Sequence, residues 1–95
     1  MAEIIWTSTA IEDLNNIGEY ISKDSFHYAR ITVDSLFKKS EVLVSYPNIG
    51  RIVPEKNNES IRELIEGNYR IVYQIISEDR INILTIIHSS KLLDI

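Results

Sequence analysis

Arg62-Glu-Leu-Ile-Glu-Gly-Asn-Tyr-Arg-Ile-Val-Tyr-Gln-Ile-Ile76 is the stretch that decides the fold. It reads as two strands joined at Gly67-Asn68, because both residues tolerate the positive φ of a tight hairpin turn. The second arm is rich in aromatic and β-branched side chains, which suit a pleated, half-buried surface. Counting outward from the turn pairs Leu64 with Ile71 and Arg62 with Tyr73 on one face. On the other it pairs Ile65 with Arg70 and Glu63 with Val72. Leu64, Ile71, Tyr73 and Ile75 form the face expected to pack on helices. Ile61, Glu63, Ile65, Arg70, Val72, Gln74 and Ile76 form the opposite face, which mixes apolar and charged groups. Arg70 breaks the apolar pattern of a strand that otherwise reads as central.

The rest of the chain supports this hairpin. Glu3-Ile-Ile-Trp-Thr7 is a short β-prone run. Thr9-Ala-Ile-Glu12 has the spacing of a capping box, which predicts a helix from Thr9 to Ser22. Ala10, Leu14, Ile17 and Ile21 recur at helical spacing, with Ile11 beside them. Lys23-Asp24-Ser25 breaks that helix and supplies N-cap residues for a second, from Phe26 to Ser45. Ala29, Val33, Leu36 and Leu43 are its buried stripe, with Phe37 and Val44 at the margin. Pro47 stops it. Residues 47–60 read as a loop, 77–80 as a turn, Ile81 to His88 as the last strand and Ser89 to Ile95 as a tail. The expected fold class is α+β, one domain over 1–95 in the order β-α-α-β-β-β. It is an antiparallel meander sheet with the N-terminal helical hairpin on one face. No segment is left to cover the other face, so a partner chain is expected there.

Composition narrows the function. A chain of 95 residues buries roughly 60% of the surface its unfolded form exposes, so a partner adds usefully to its stability. Its net charge of −4 speaks against wrapping nucleic acid, and direct DNA binding by this chain is not expected. With no cysteine, disulfides, thiolate metal sites and cysteine nucleophiles are excluded together, which fits a reducing cytoplasm. No signal sequence or membrane-spanning run is read. His27 and His88 are too far apart to read as a metal signature, and no cofactor or metal is expected. His27 reads as surface. Lys38-Lys39 reads as a solvated helix face. There is no Gly-x-Ser-x-Gly elbow, no phosphate-cradling glycine loop and no histidine near a candidate serine.

An ordered set of residues resembles one family. Trp6-Thr-x-x-Ala10, Asp13-Leu14, Ile17 and Tyr20-Ile21 come first, then Pro47-x-x-Gly50-Arg51-x-x-Pro54-Glu55. Ile61-Arg62-Glu63, Tyr69-Arg70-Ile71-Val72-Tyr73 and His88 complete the set. Together they resemble the ParE/RelE superfamily of toxins from bacterial type II toxin–antitoxin modules, over nearly the whole chain. The resemblance implies a cognate antitoxin and one of two activities. ParE-like members poison DNA gyrase; RelE-like members are endoribonucleases that cut messenger RNA on the ribosome. The nuclease branch places lysines on the strand before the arginine-bearing one, and here Ile61 and Glu63 stand there. An acidic group beside a phosphate weakens the stabilisation that the reaction needs. Lys91 stands near that branch's later arginine, and no tyrosine follows it. The ParE-like reading, a gyrase inhibitor of plasmid-stabilisation type, is therefore favoured. A third reading is an inactive relative that keeps only the antitoxin.

On the ParE-like reading the target-binding candidates are Arg51, Arg62, Arg70 and His88, and the antitoxin-binding candidates are Ile61, Ile65, Val72 and Ile76. On the nuclease reading Arg70 and Lys91 hold the phosphate and His88 moves protons. Plainer readings stand beside these. Arg70 pairs with Glu63 across the hairpin. Arg51, Arg62 and Glu55 pin a long loop by salt bridges. His88 is a strand-end histidine bonded to backbone. Trp6, Tyr20, Tyr46, Tyr69 and Tyr73 are mostly core or margin rather than base-stacking groups.

Overall fold

The computed structural model describes residues 1–94; Ile95, the last residue of the expected tail, lies outside them. In chain order the elements are β1 (Glu3–Trp6), α1 (Ser8–Ser22) and α2 (Phe26–Ser40). A 3₁₀ turn (Glu41–Val44) continues α2, and β2 (Arg51–Ile52), β3 (Ile61–Glu66), β4 (Tyr69–Ser77) and β5 (Arg80–His88) follow. The central hairpin has the expected register: Leu64 faces Ile71, Arg62 faces Tyr73, Ile65 faces Arg70 and Glu63 faces Val72. Gly67 sits at the turn with φ +58°, a conformation that glycine adopts without steric cost.

The sheet has five strands in the order β1-β5-β4-β3-β2. From β2 to β5 neighbours are antiparallel, but β1 pairs with β5 in parallel, so the sheet is mixed rather than a pure antiparallel meander. The chain passes from β1 straight into α1, and α1 is fastened to β5 at its N-cap and again at Asp13. Thr7 caps α1, accepting from the Ala10 N–H at 3.2 Å, and donates its hydroxyl to the Ile83 carbonyl at 2.8 Å. The capping residue is thus Thr7 and not Thr9. Farther along, Asp13 accepts from the Thr85 hydroxyl and from the Ile86 N–H. The second cap is the expected one, with Ser25 accepting from the Tyr28 N–H. The α-helix ends at Ser40, ahead of the expected Ser45.

The main core lies between the helices and the sheet. Ala10, Leu36 and Leu43 meet Leu64, Ile71, Tyr73, Ile81 and Ile83 there, with Leu14 and Ile17 packed alongside. In β5 the pairing slips between Ile83 and Thr85, leaving Leu84 unpaired. That bulge moves the buried positions from Ile81 and Ile83 to Ile86, while Leu84 and Ile87 turn to the other face.

That other face is partly covered by the chain itself. Val53, from the segment after β2, and Leu93, from the tail, pack on Val72, with Ile61, Leu84 and Ile87 around them. Val72 is wholly buried as a result. The expectation of an uncovered face fails because two irregular segments cross it, and hydrophobic patterning does not place irregular segments. Tyr20 and Tyr46, expected at the core or its margin, are exposed.

Candidate functional site

On the face that Val53 and Leu93 cover, four charged side chains form a chain of contacts. Arg70 lies on β4 opposite Ile65, two residue pairs along from the Glu63–Val72 pair and on the same face. Its Nε donates to Glu63 Oε1. Nη1 and Nη2 each donate at 2.8 Å to one oxygen of Glu55, and Nη1 also reaches the Lys91 carbonyl at 3.1 Å. Glu63 gives its second oxygen to Arg51 Nε across the β2–β3 pair. Glu55 takes a further bond from the Leu93 N–H at 2.8 Å. The Glu63 side chain is 0% exposed and that of Arg70 6%, whereas that of Arg51 is 63% exposed.

Burying a charge costs several kcal/mol unless it is paired and hydrogen-bonded, on the order of the loss when such a pair is broken. Arg70 meets that condition by holding Glu63 and Glu55, and Glu63 meets it by holding Arg70 and Arg51. The bonds from Arg70, then the Leu93 N–H, bring the Glu55 carboxyl down to about 2. The same bonds, led by those to Glu55, push the Arg70 guanidinium up, so it stays charged at any relevant pH. Arg70 is therefore not an open anion-binding group: two carboxylates and a carbonyl occupy its fork. The pairing with Glu63 expected from the register is present.

The other expected site residues separate in the same way. Arg62 spends its guanidinium on the loop, donating from Nε to the Glu59 carbonyl and from Nη1 to the Gly50 carbonyl, each at 3.0 Å. It pins the segment before β3. Arg51 is held at Nε only, and among the described residues nothing accepts from its Nη atoms. His88 is exposed at the end of β5, with its ring edge-on to Tyr69 at 5.8 Å. Its Nδ1 accepts from the Ser90 N–H at 3.1 Å and lies 2.7 Å from the Ser90 hydroxyl. A histidine does therefore stand beside a serine, contrary to expectation, because the tail turns back after β5. In the neutral ring the proton then sits on Nε2, which is the acid–base geometry available at this end of the sheet. Lys91 lies in the same turn, its amide bonded to the His88 carbonyl at 3.0 Å.

Of the four expected antitoxin contacts, Ile65 and Ile76 are each 48% exposed, Ile61 is half-buried and Val72 is inaccessible. The residues that sequence reasoning missed are Leu92 and Leu93 in the tail. A Leu-Leu pair just before an acidic residue was their signal, and it is too common to have pointed to a site. On the far side of the molecule an open groove of about 1330 Å³ runs along the helical hairpin. Leu14, Gly18, Ala29 and Val33 line it, with Phe26 and Phe37 at its edges. Among the described residues no group of acids and histidines could hold a metal ion, and no helix is long and apolar enough to cross a membrane.

The family described as "ParE toxin of type II toxin-antitoxin system, parDE" matches residues 4–93. The chain belongs to that family. This toxin is 27% identical over 92 residues to the protein named Toxin RelE2 of Caulobacter vibrioides (strain ATCC 19089 / CIP 103742 / CB 15). The match spans 97% of this chain and 100% of that one. Its fold matches a chain of the structure titled "Chromosomal ParDE TA system from P. aeruginosa", with a TM-score of 0.74 at 22% identity. That likeness covers 93% of this chain and 96% of the other. As the toxin of a type II module, this protein has a cognate antitoxin as its partner.

Proposed function

We propose that this ParE-family toxin inhibits DNA gyrase by binding, without hydrolytic chemistry of its own, in the cytoplasm where its antitoxin neutralises it. The observation that carries this reading is the state of Arg70. A nuclease needs unspent positive charge where a phosphate develops extra charge. Here both carboxylates of the cluster are already bonded to the one buried arginine. Ile61 and Glu63 replace the lysines that a RelE-like active site would place on β3. The groups left for a target are the Nη end of Arg51 and the exposed His88 end of β5. Arg62 and Arg70 support them from within. On the side of the antitoxin, Ile65 and Ile76 remain as docking contacts.

The test uses the toxin purified with its antitoxin, released from it and refolded. Added to gyrase with relaxed plasmid, it should block supercoiling and accumulate cleaved plasmid, and added antitoxin should restore supercoiling. Full supercoiling at saturating toxin would remove gyrase as the target.

A second reading, a ribosome-dependent endoribonuclease, has one structural observation in its favour. His88, Ser90 and Lys91 form an exposed polar corner with a defined histidine tautomer. The name of the Caulobacter relative points the same way. If this reading holds, His88→Ala abolishes message cutting while the protein stays folded.

A further inference from the structure

We infer that the cleft between β3 and the tail is an anchor site for an extended segment of the antitoxin that carries an apolar side chain next to a carboxylate. This rests on the reading of the chain as an antitoxin-neutralised toxin. The cleft holds about 380 Å³ and is lined by Arg51, Pro54, Ile65 and Leu92, with the Arg70–Glu55 pair as its floor.

Charge complementarity points to the carboxylate. Every carboxylate oxygen in the cleft is engaged: those of Glu55 by Arg70 and the Leu93 N–H, those of Glu63 by Arg70 and Arg51. The exposed Nη end of Arg51 is the one cationic group there that no described residue satisfies. With its Nε fixed on a wholly buried carboxylate, that guanidinium is already oriented. A carboxylate docking on it therefore gives up less rotamer freedom than usual on binding.

The apolar side chain follows from the lip of the cleft. Ile65 is 48% exposed and Leu92 82% exposed, on opposite sides of it.

The extended shape follows from the sheet edge. β2 pairs only Arg51 with Glu63 and Ile52 with Arg62, so β3 has no strand partner on that side from Leu64 to Glu66. The Val53 N–H bonds the Ile61 carbonyl, so Ile61, Glu63 and, by alternation, Ile65 turn their main-chain groups to that edge. A strand laid there meets unpaired main-chain groups and reaches Arg51 and Ile65 with alternate side chains. A nucleic acid fits less well. One free cation neutralises one phosphate, affinity for a polyanion grows with that number, and the lip is apolar.

The experiment titrates full-length toxin with the fluorescently labelled C-terminal half of its cognate antitoxin. Arg51→Gln removes the guanidinium, keeps a polar side chain and leaves the Arg70–Glu63 pair in place. Leu92→Asp changes a side chain that the fold barely touches. Each variant should bind about tenfold or more weaker than the parent, the size expected for losing a charge-assisted pair or facing a like charge. Urea midpoints recorded alongside confirm that both are folded. Arg51→Glu should bind weakest and recover when the matching acidic residue of the antitoxin is changed to lysine. Parent-like binding by both folded variants would overturn the anchor site and leave the toxin reading intact. Failure of the parent toxin to bind its antitoxin would overturn both. If Arg51→Gln binds antitoxin normally but loses binding to a labelled single-stranded RNA, the occupant is a nucleic acid and the proposal falls.

Discussion

At the scale of single residues, Arg70 is a structural cation. Arg70→Ala leaves Glu63, with no exposed side-chain surface, facing Arg51 alone. Breaking a buried pair from one side costs about 3–5 kcal/mol, a large part of the 5–15 kcal/mol that holds a typical domain together. A urea titration should show that loss. A contact used only for a target would leave the midpoint unchanged. Arg70→Lys should fall between, since an ammonium supplies charge but not the fork that meets two carboxylates. Glu55 gives a pH signature. Its carboxyl lies at about 2 in the folded chain against 4.5 ordinarily, so as the pH falls the unfolded chain takes up the proton first. The stabilisation is complete above about pH 4.5 and is lost as the pH drops towards 2. In urea titrations across that window, Glu55→Gln should show a shallower decline than the parent. The Arg70–Glu63 pair was legible in the sequence, because residues two apart on a hairpin arm share a face and the turn fixes the register. The Glu55 half was not, since nothing local says that residue 55 returns to lie over residue 70.

At the scale of elements, the short edge of the sheet is held by Tyr73. Its hydroxyl donates to the Pro47 carbonyl at 2.8 Å and accepts from the Gly50 N–H at 3.0 Å, and burial pushes the phenol up. Tyr73→Phe strands both main-chain groups and should cost about 1–3 kcal/mol by thermal or urea unfolding. Gly50→Ala should cost at least as much. A Cβ there would sit 2.6 Å from the Glu63 carbonyl oxygen and 2.6 Å from the Tyr73 hydroxyl, and backbone does not yield as a flexible side-chain end does. On the opposite edge, Asp13→Ala removes the acceptor for Thr85 and Ile86. It should loosen α1 from β5, read as faster amide exchange at Ile86. The sequence announced the helices and the hairpin, because their periodicity and the Gly67 turn are local signals. It did not announce β2, whose two residues are too few to show a period. Nor did it give the direction of β1, which depends on where Thr7 and Asp13 find partners about 75 residues on. The sequence offered Thr9 as the cap of α1, and Thr7, tied to the Ile83 carbonyl, serves instead.

At the scale of the molecule, the chain covers both faces of its own sheet. The surfaces it leaves open are the hairpin groove, the free edge of β3, and Ile65 and Ile76. A partner that binds only the folded toxin stabilises it by about 2.7 kcal/mol at a hundredfold excess over its dissociation constant. The midpoint of thermal unfolding should therefore rise with antitoxin concentration. The candidate site was half legible. Arg51, Arg70 and His88 were named from the sequence, but which cation was spent and which remained free depends on irregular segments that no pattern places. The charge of Arg70 is consumed inside the fold, and the proposal that the toxin acts by binding rests on that. The most direct test follows message integrity in a translating ribosome extract dosed with the same released toxin that is assayed against gyrase. The account predicts intact message at a concentration that stops supercoiling. Cut message with supercoiling unaffected would contradict it, and would place the chemistry at His88, Ser90 and Lys91.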